Sequence, residues 1–222
     1  MKTILSISVF FFVFFSGISQ TNNDTQVQDP AAEPYLEQIS KLFDPVKALQ
    51  IEFKYEVETK EPHSIVSDYG SIILKGDKYK LKTDDGEMYF NGKTLWVYNQ
   101  AASEVYKSIP SADNMDEMML SPFRLIKDYK TYYKYRLKED VIYSGTAYAQ
   151  VELYPKDLNT SYSIMRILVN KKNSTFYSFS MQQKNGVHYT IFSRDIIKDV
   201  KISESAFSWN ASYHPEVMEI EM

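Results

Sequence analysis

Met88-Tyr89-Phe90-Asn91-Gly92-Lys93-Thr94-Leu95-Trp96-Val97-Tyr98-Asn99 lies near the middle of this 222-residue chain. Two aromatic, β-branched runs flank Asn91-Gly92. An Asn-Gly pair in that setting is the strongest short-range sign of a β-hairpin, because both residues tolerate the positive φ of a type I′ turn, whose twist matches the strands it joins. A hairpin with a type I′ turn is therefore predicted. Side chains alternate across a strand, so Leu95 and Val97 share one face and Trp96 and Tyr98 the other. Both faces are largely apolar, so something must cover each. Which of them is concave depends on register, which periodicity does not fix when both faces are apolar.

N-terminal to the hairpin, residues 49–59 alternate strictly. Leu49, Ile51, Phe53, Tyr55 and Val57 lie on one face, and Gln50, Glu52, Lys54, Glu56 and Glu58 on the other, as in a long half-buried strand. Further strands are expected at 65–74, 78–83, 87–90, 94–98 and 104–108, separated by turn-like segments containing Gly76-Asp77, Asp84-Asp85-Gly86 and Asn91-Gly92. Such an order makes an antiparallel meander. It breaks at Pro110 and resumes with strands at 132–137, 146–154, 163–170, 175–182 and 188–192.

About eleven strands exceed what a flat sheet tolerates, so the sheet must curl strongly, close, or split into a sandwich. Two apolar helical pieces accompany it. In residues 34–43, Leu36, Ile39, Leu42 and Phe43 fall at helical spacing, with Pro34 suited to the first turn and Pro45 ending the run. Residues 115–126 carry Met115, Met118, Met119, Leu120, Phe123, Leu125 and Ile126. The concave side of a curled sheet is the surface available to both pieces.

The N-terminus reads as an export signal. Met1-Lys2-Thr3 is a short basic start, residues 4–15 are apolar or hydroxyl-bearing throughout, and Gly17-Ile18-Ser19 supplies the small residues a signal peptidase needs. Twelve residues at 1.5 Å each fall well short of roughly 30 Å of hydrocarbon, which argues against a transmembrane anchor. Cleavage is expected between Ser19 and Gln20. Residues 1–19 are thus the signal, 20–34 a polar flexible leader and 35–222 a single domain. Its aromatic content is dominated by tyrosine: the signal holds five of the thirteen Phe, leaving eight beside eighteen Tyr and two Trp. Tyr suits half-exposed sheet faces and amphiphilic ligands.

Composition excludes several chemistries. No cysteine is present, so there are no disulfides, thiol nucleophiles, thiolate metal sites or lipidated N-terminal Cys. A net charge of −4 argues against nucleic acid as a partner. His63, His188 and His214 stand apart without metal-ligand spacing, and seven Gly form neither a nucleophile elbow nor a phosphate loop. Asp84-Asp85 and Asp116-Glu117 read as solvated turn residues. No catalytic residue, metal or cofactor is expected, and the protein is not read as an enzyme. What the chain does supply is apolar surface. Methionines such as Met115, Met118 and Met119 adapt to variable apolar shapes.

The run Asn91-Gly92-Lys93-Thr94-Leu95-Trp96-Val97-Tyr98-Asn99 resembles the (D/N)GKTLW-(F/V)-YN segment of outer-membrane lipoprotein carrier proteins, the LolA family. Ser121-Pro122-Phe123-Arg124-Leu125-Ile126 is similar to the family's T/S-P-F-x-L-I segment at about the same distance. Leu36, Ile39, Leu42, Val46 and residues 49–53 resemble its helix-to-first-strand pattern, residues 70–75 its second strand, and Asp77-Lys78-Tyr79-Lys80-Leu81 its P-N-x-F-x-W stretch. Lys75-Gly76-Asp77 departs from the family's Lys-Arg-Pro, so the role of that arginine in lid closure and cargo handover does not carry over.

The resemblance implies a mainly β, α+β fold: a single strongly curved antiparallel sheet, an incomplete β-barrel, with helical lid segments over an apolar cavity. It implies a periplasmic chaperone that carries lipoprotein acyl chains from inner to outer membrane. Its partners would be lipidated proteins as cargo, an inner-membrane lipoprotein-releasing transporter and an outer-membrane acceptor, with the carrier itself a monomer. By the same resemblance and their apolar character, Leu36, Ile39, Phe53, Tyr55, Tyr79, Leu81, Trp96 and Tyr98 are expected at the acyl-chain site, with Met118, Met119, Phe123, Leu125 and Ile126 in the cover. Rival readings are a lipid-sensing regulatory module of the same fold, which usually carries a second domain, a carrier of other amphiphilic lipids, and an esterase. N-terminal sequencing of the exported protein is expected to begin at Gln20, and a membrane-bound form retaining residues 4–15 would contradict the export reading.

Overall fold

In the computed structural model, which describes residues 28–42, 47–110 and 126–221, the alternating run at 49–59 becomes the middle of the molecule. Strand β1 (Ala48–Lys60) pairs antiparallel with β2 (His63–Lys75) on one side and with β12 (His188–Val200) on the other. Beyond β2 run β3 (Lys78–Thr83), β4 (Gly86–Phe90), β5 (Leu95–Asn99) and β6 (Glu104–Ser108) in chain order. Beyond β12 come β11 (Phe176–Gln183), β10 (Tyr162–Asn170), β9 (Thr146–Pro155) and β7 (Tyr133–Leu137). The described residues thus form one thirteen-stranded, curved and open sheet. Of the three shapes the strand count permits, the strongly curled one is realised.

Two of the thirteen strands were not anticipated. Strand β8 (Val141–Tyr143) folds back on β9, and β13 (Met218–Glu221) joins β6 in the sheet's parallel pairing. Both are short and lie off the meander, so neither offers a long enough alternating run to be read from sequence.

Bulges produce the curl, since an extra residue on one strand bends it and raises its twist. Asp199 and Arg194 are each the unpaired extra residue of β12 against β1, and Ser163 and Tyr177 play the same part in the β10 and β11 pairing. Asp199 takes φ 59° to do so. The Ser193 hydroxyl donates to the carbonyls of Phe176 and Tyr177, tying β12 to the bulge on β11. Each bulge also shifts the side-chain phase by one residue. At Arg194 this turns Ile196 inward opposite Ile51 and leaves Asp195 outward opposite Glu52.

The β4–β5 hairpin forms with Phe90 opposite Leu95, but its turn is not type I′. Only Gly92 has positive φ (92°), while Asn91 uses its side chain, whose Oδ1 accepts from the backbone N–H groups of Lys93 (3.0 Å) and Thr94 (2.9 Å). The loop therefore spans Asn91 to Thr94, four residues rather than two. An Asn side chain that mimics a turn carbonyl competes with the left-handed backbone the pair also permits.

Helix α1 (Glu33–Ser40) starts with Pro34 in its first turn, as expected, but stops before Leu42, where the chain tightens to a Leu42 N–H to Ile39 carbonyl bond. Pro45 and Phe43 lie outside the described residues, as does the second helical piece up to Leu125. Ala32, Leu36 and Ile39 pack with Tyr133, Tyr135, Val151 and Leu153 into a dry cluster over the β7–β10 wing. Glu33 anchors α1 by accepting from Lys130 Nζ (2.7 Å) and Tyr135 Oη (2.8 Å), contacts that hold its carboxyl below the usual range.

On the outer face of that wing, Arg136, Glu152 and Arg166 sit opposite one another on β7, β9 and β10. Glu152 accepts from Arg166 Nε at 3.0 Å, from Arg136 Nε at 3.4 Å and from the Tyr154 hydroxyl. Burial alone would raise its pKa, but the Tyr154 hydroxyl and the Arg166 guanidinium, with the charge of Lys138, outweigh burial and hold it below the normal value. A carboxyl depressed on folding contributes stability that is present above its unfolded pKa and lost as pH falls through the folded one. Glu152→Gln is expected to lower stability at pH 7 by about 1–2 kcal/mol. In melts from pH 7 to pH 3 the gap to the parent should close as acid protonates Glu152, and a gap independent of pH would refute its charge as the cause.

Candidate functional site

Inward-facing side chains of the two wings enclose a cavity of about 460 Å³, within the roughly 300–1,000 Å³ typical of small-molecule sites. One wall is built by Ile51 and Phe53 of β1, Ile72 and Leu74 of β2, Tyr79 and Leu81 of β3 and Met88 of β4. These positions pair across the ladders, Ile51 with Ile72, Ile72 with Leu81, and Leu81 with Met88, so one register fixes the whole wall. The opposite wall comes from Leu153, Met165, Ile167, Phe179 and Met181 on β9, β10 and β11, joined by Ile191 of β12. Ile39 and Leu42 close one side beside Ile126. The described lining holds only Ile, Leu, Met, Phe and Tyr. It carries no charged side chain and no nucleophile–base pair, and among the described residues no group of His, Asp and Glu could hold a metal ion.

The expected site residues distribute unevenly. Ile39, Phe53, Tyr79, Leu81 and Ile126 line the cavity. Leu36 lies in the dry cluster beneath α1, fully buried and behind the wall. Tyr55 shares the inner face with Phe53, its ring edge-on at 6.4 Å, but sits outside the lining with its hydroxyl toward Asp85 (3.3 Å). Trp96 and Tyr98 must be corrected. They occupy the outer face of β5, because Val97 opposes the cavity-lining Met88 and alternation sends its neighbours the other way. Met118, Met119, Phe123 and Leu125 lie outside the described residues.

The cover for Trp96 and Tyr98's face is the C-terminal segment. Trp209 packs on Tyr98 (5.2 Å between ring centroids) and edge-on to Tyr89 (5.8 Å), and His214 stacks on Trp209 at 4.6 Å. That explains why both faces of the hairpin are apolar: one faces the interior and the other takes the C-terminal segment. Lys75 and Lys78, which flank the Gly76-Asp77 turn, both pair with Glu204 at 2.5 Å and hold its carboxyl down to about 2. The Gly76-Asp77 turn thus carries a clamp on the C-terminal segment.

Sequence reasoning missed the wall contributed by β9 to β12. Its signal was present in the alternation of Met165, Ile167 and Val169 around Arg166, but the bulges at Ser163, Tyr177 and Arg194 break the period that would have linked the strands.

Comparison with known proteins agrees with this architecture. The family description "Outer membrane lipoprotein carrier protein LolA" matches residues 59–220. The chain belongs to the LolA family. No curated protein matches the sequence significantly. An uncharacterized conserved protein from Thermus thermophilus shares the fold at a TM-score of 0.55 and 9% identity, covering 86% of this chain and 99% of that one. A LolA superfamily protein from Nitrosomonas europaea gives 0.43 and 14%, covering 80% and 97%. The lipoprotein LppX of Mycobacterium tuberculosis gives 0.44 and 8%, covering 79% and 99%.

In this LolA-family sheet the Phe53 ring reaches the cavity only because its partner across β2 is Gly70. A Cβ there would fall 2.6 Å from Phe53 Cζ and 2.7 Å from the Lys82 carbonyl oxygen, and the backbone atom cannot yield. Gly70→Ala should therefore destabilise the protein by about 1–3 kcal/mol in urea titrations, and an unchanged midpoint would show that the ring needs no such gap.

Proposed function

We propose that this LolA-family protein is a periplasmic carrier that takes the acyl chains of lipidated proteins into the cavity between its wings and moves them from the inner to the outer membrane. The observation that carries the reading is the apolar, roughly 460 Å³ cavity walled by strands from both ends of the chain. Each methylene left in water costs about 0.8 kcal/mol, so a sixteen-carbon chain crossing an aqueous space forgoes on the order of 12 kcal/mol unless it is enclosed. A lining that carries no charge among the described residues suits that cargo and gives an ionic substrate no counter-charge. On this reading an inner-membrane lipoprotein-releasing transporter loads the carrier, an outer-membrane acceptor unloads it, and residues 1–19 direct its export. The carrier works as a monomer without a cofactor.

The test is mass spectrometry of the protein purified from its own periplasm, with Leu81→Asp and Ile142→Asp beside it. Leu81 lines the cavity, whereas Ile142 is an exposed side chain on β8. The parent and Ile142→Asp are expected to carry acylated protein, and Leu81→Asp to lose it while still melting cooperatively, since an unpaired carboxylate facing apolar walls costs several kcal/mol when cargo covers it. Cargo undiminished in Leu81→Asp, or free phospholipid as the sole ligand, would overturn the lipoprotein reading.

A further inference from the structure

Among the described residues two of the side chains that line the cavity, Tyr79 and Tyr189, carry a hydroxyl. Tyr189 is half-buried, whereas Tyr79 is only 2% exposed and its hydroxyl is buried with no hydrogen-bond partner among the described residues. Its ring is held on β3 between Leu74 and Phe90 on the neighbouring strands, with the Phe90 ring 5.6 Å away. Phe would fill the same place without an unpaired polar group. A buried hydroxyl with no partner calls for an explanation, and a ligand is one that a cavity wall provides.

We propose that the Tyr79 hydroxyl donates a hydrogen bond to the carbonyl oxygen of a neutral acyl ester and so selects, and fixes the depth of, an ester-linked acyl chain over a bare hydrocarbon or a fatty carboxylate. This rests on the carrier reading above. Three features set the ligand class. Burial pushes the phenol's ionisation well above the ordinary tyrosine value, so the group stays a donor. Its surroundings are aliphatic and aromatic, so an acceptor brought in on a chain meets little competition. Finally, no Lys, Arg or His is in the described lining, so a carboxylate would enter without a counter-charge, while an ester carbonyl enters as a neutral acceptor.

The ester occurs in both the diacylglyceryl group of lipoproteins and in phospholipids. The experiment uses the mature protein and its Tyr79→Phe variant, with a fluorescent apolar probe displaced by hexadecane, methyl palmitate, palmitate at pH 8, a synthetic diacylglyceryl-cysteine peptide and a diacyl phospholipid. Tyr79→Phe should leave hexadecane unchanged and weaken methyl palmitate and the lipopeptide about three- to tenfold, with an equal or higher melting temperature. Palmitate should compete less well than its methyl ester in the parent protein. Weakening of methyl palmitate and the lipopeptide but not of the phospholipid would assign the contact to lipoprotein cargo, and weakening of the phospholipid as well would assign it to the shared ester. Displacement that is blind to Tyr79→Phe, or shifted equally for hexadecane and the ester, overturns the hydrogen bond while leaving the carrier reading standing. Failure of every chain to displace the probe from the parent overturns both.

Discussion

The pairing of β1 with β12 is the constraint on which the rest of the molecule depends. Strand β1 is the one that hydrogen-bonds to both wings, and its inner side chains Leu49, Ile51 and Phe53 belong to the surface that the wings fold around. Its polar positions, Glu52, Lys54 and Glu56, face outward and fix which side must curl inward. Strand β12 matches this phase only because Arg194 bulges out. Without that extra residue, strict alternation from Tyr189 and Ile191 would place Asp195 on the inner face, burying a carboxylate among aliphatic side chains at a cost of several kcal/mol.

Each wing then has its own reason to be stable, and the cavity lies where they meet. The α1 side is a dry cluster around Leu36, Tyr133, Tyr135 and Leu153, and the other wing packs Leu49, Leu74, Tyr79, Phe90 and Leu95. Cavities with apolar walls stay dry and accept apolar guests. Met88, Met165 and Met181 line this one from three different strands, giving it walls that can repack around chains of different shape. The outer face spends its side chains differently, on ion pairs such as Arg166–Glu152 and on the Trp209 stack that fastens the C-terminal segment. Ion pairs and ring stacking thus fasten the outer face, while the apolar clusters and the cavity occupy the inner one.

Much of this was legible in the sequence, and the rest was hidden for definable reasons. Residues 49–59 alternate so regularly that β1 and its inner face could be read directly, and the Asn-Gly pair located the β4–β5 hairpin. The turn type could not be read, because Asn91 can satisfy the loop with its side chain as readily as with its backbone. Trp96 and Tyr98 looked like cavity residues because their face is apolar, but that face is apolar in order to receive Trp209, a contact more than a hundred residues distant in the chain. The wall from β9 to β12 escaped notice because bulges interrupt the two-residue period there. Family resemblance reached the fold through short motifs, whereas the residues facing the cavity follow from register, which only long-range pairing sets.

On the proposed function an acyl chain lies against the inner face of both wings at once. Isoleucine methyls report on it directly, because Ile51, Ile72, Ile167 and Ile191 face the cavity while Ile142 and Ile197 are exposed. The decisive measurement is methyl NMR of the protein with a spin-labelled stearoyl ester, whose unpaired electron broadens nearby signals. Binding between the wings predicts broadening of the four inner isoleucines from both walls, with Ile142 and Ile197 left sharp. Broadening centred on Ile142 or Ile197, or confined to one wing, would place the chain on the surface and contradict it.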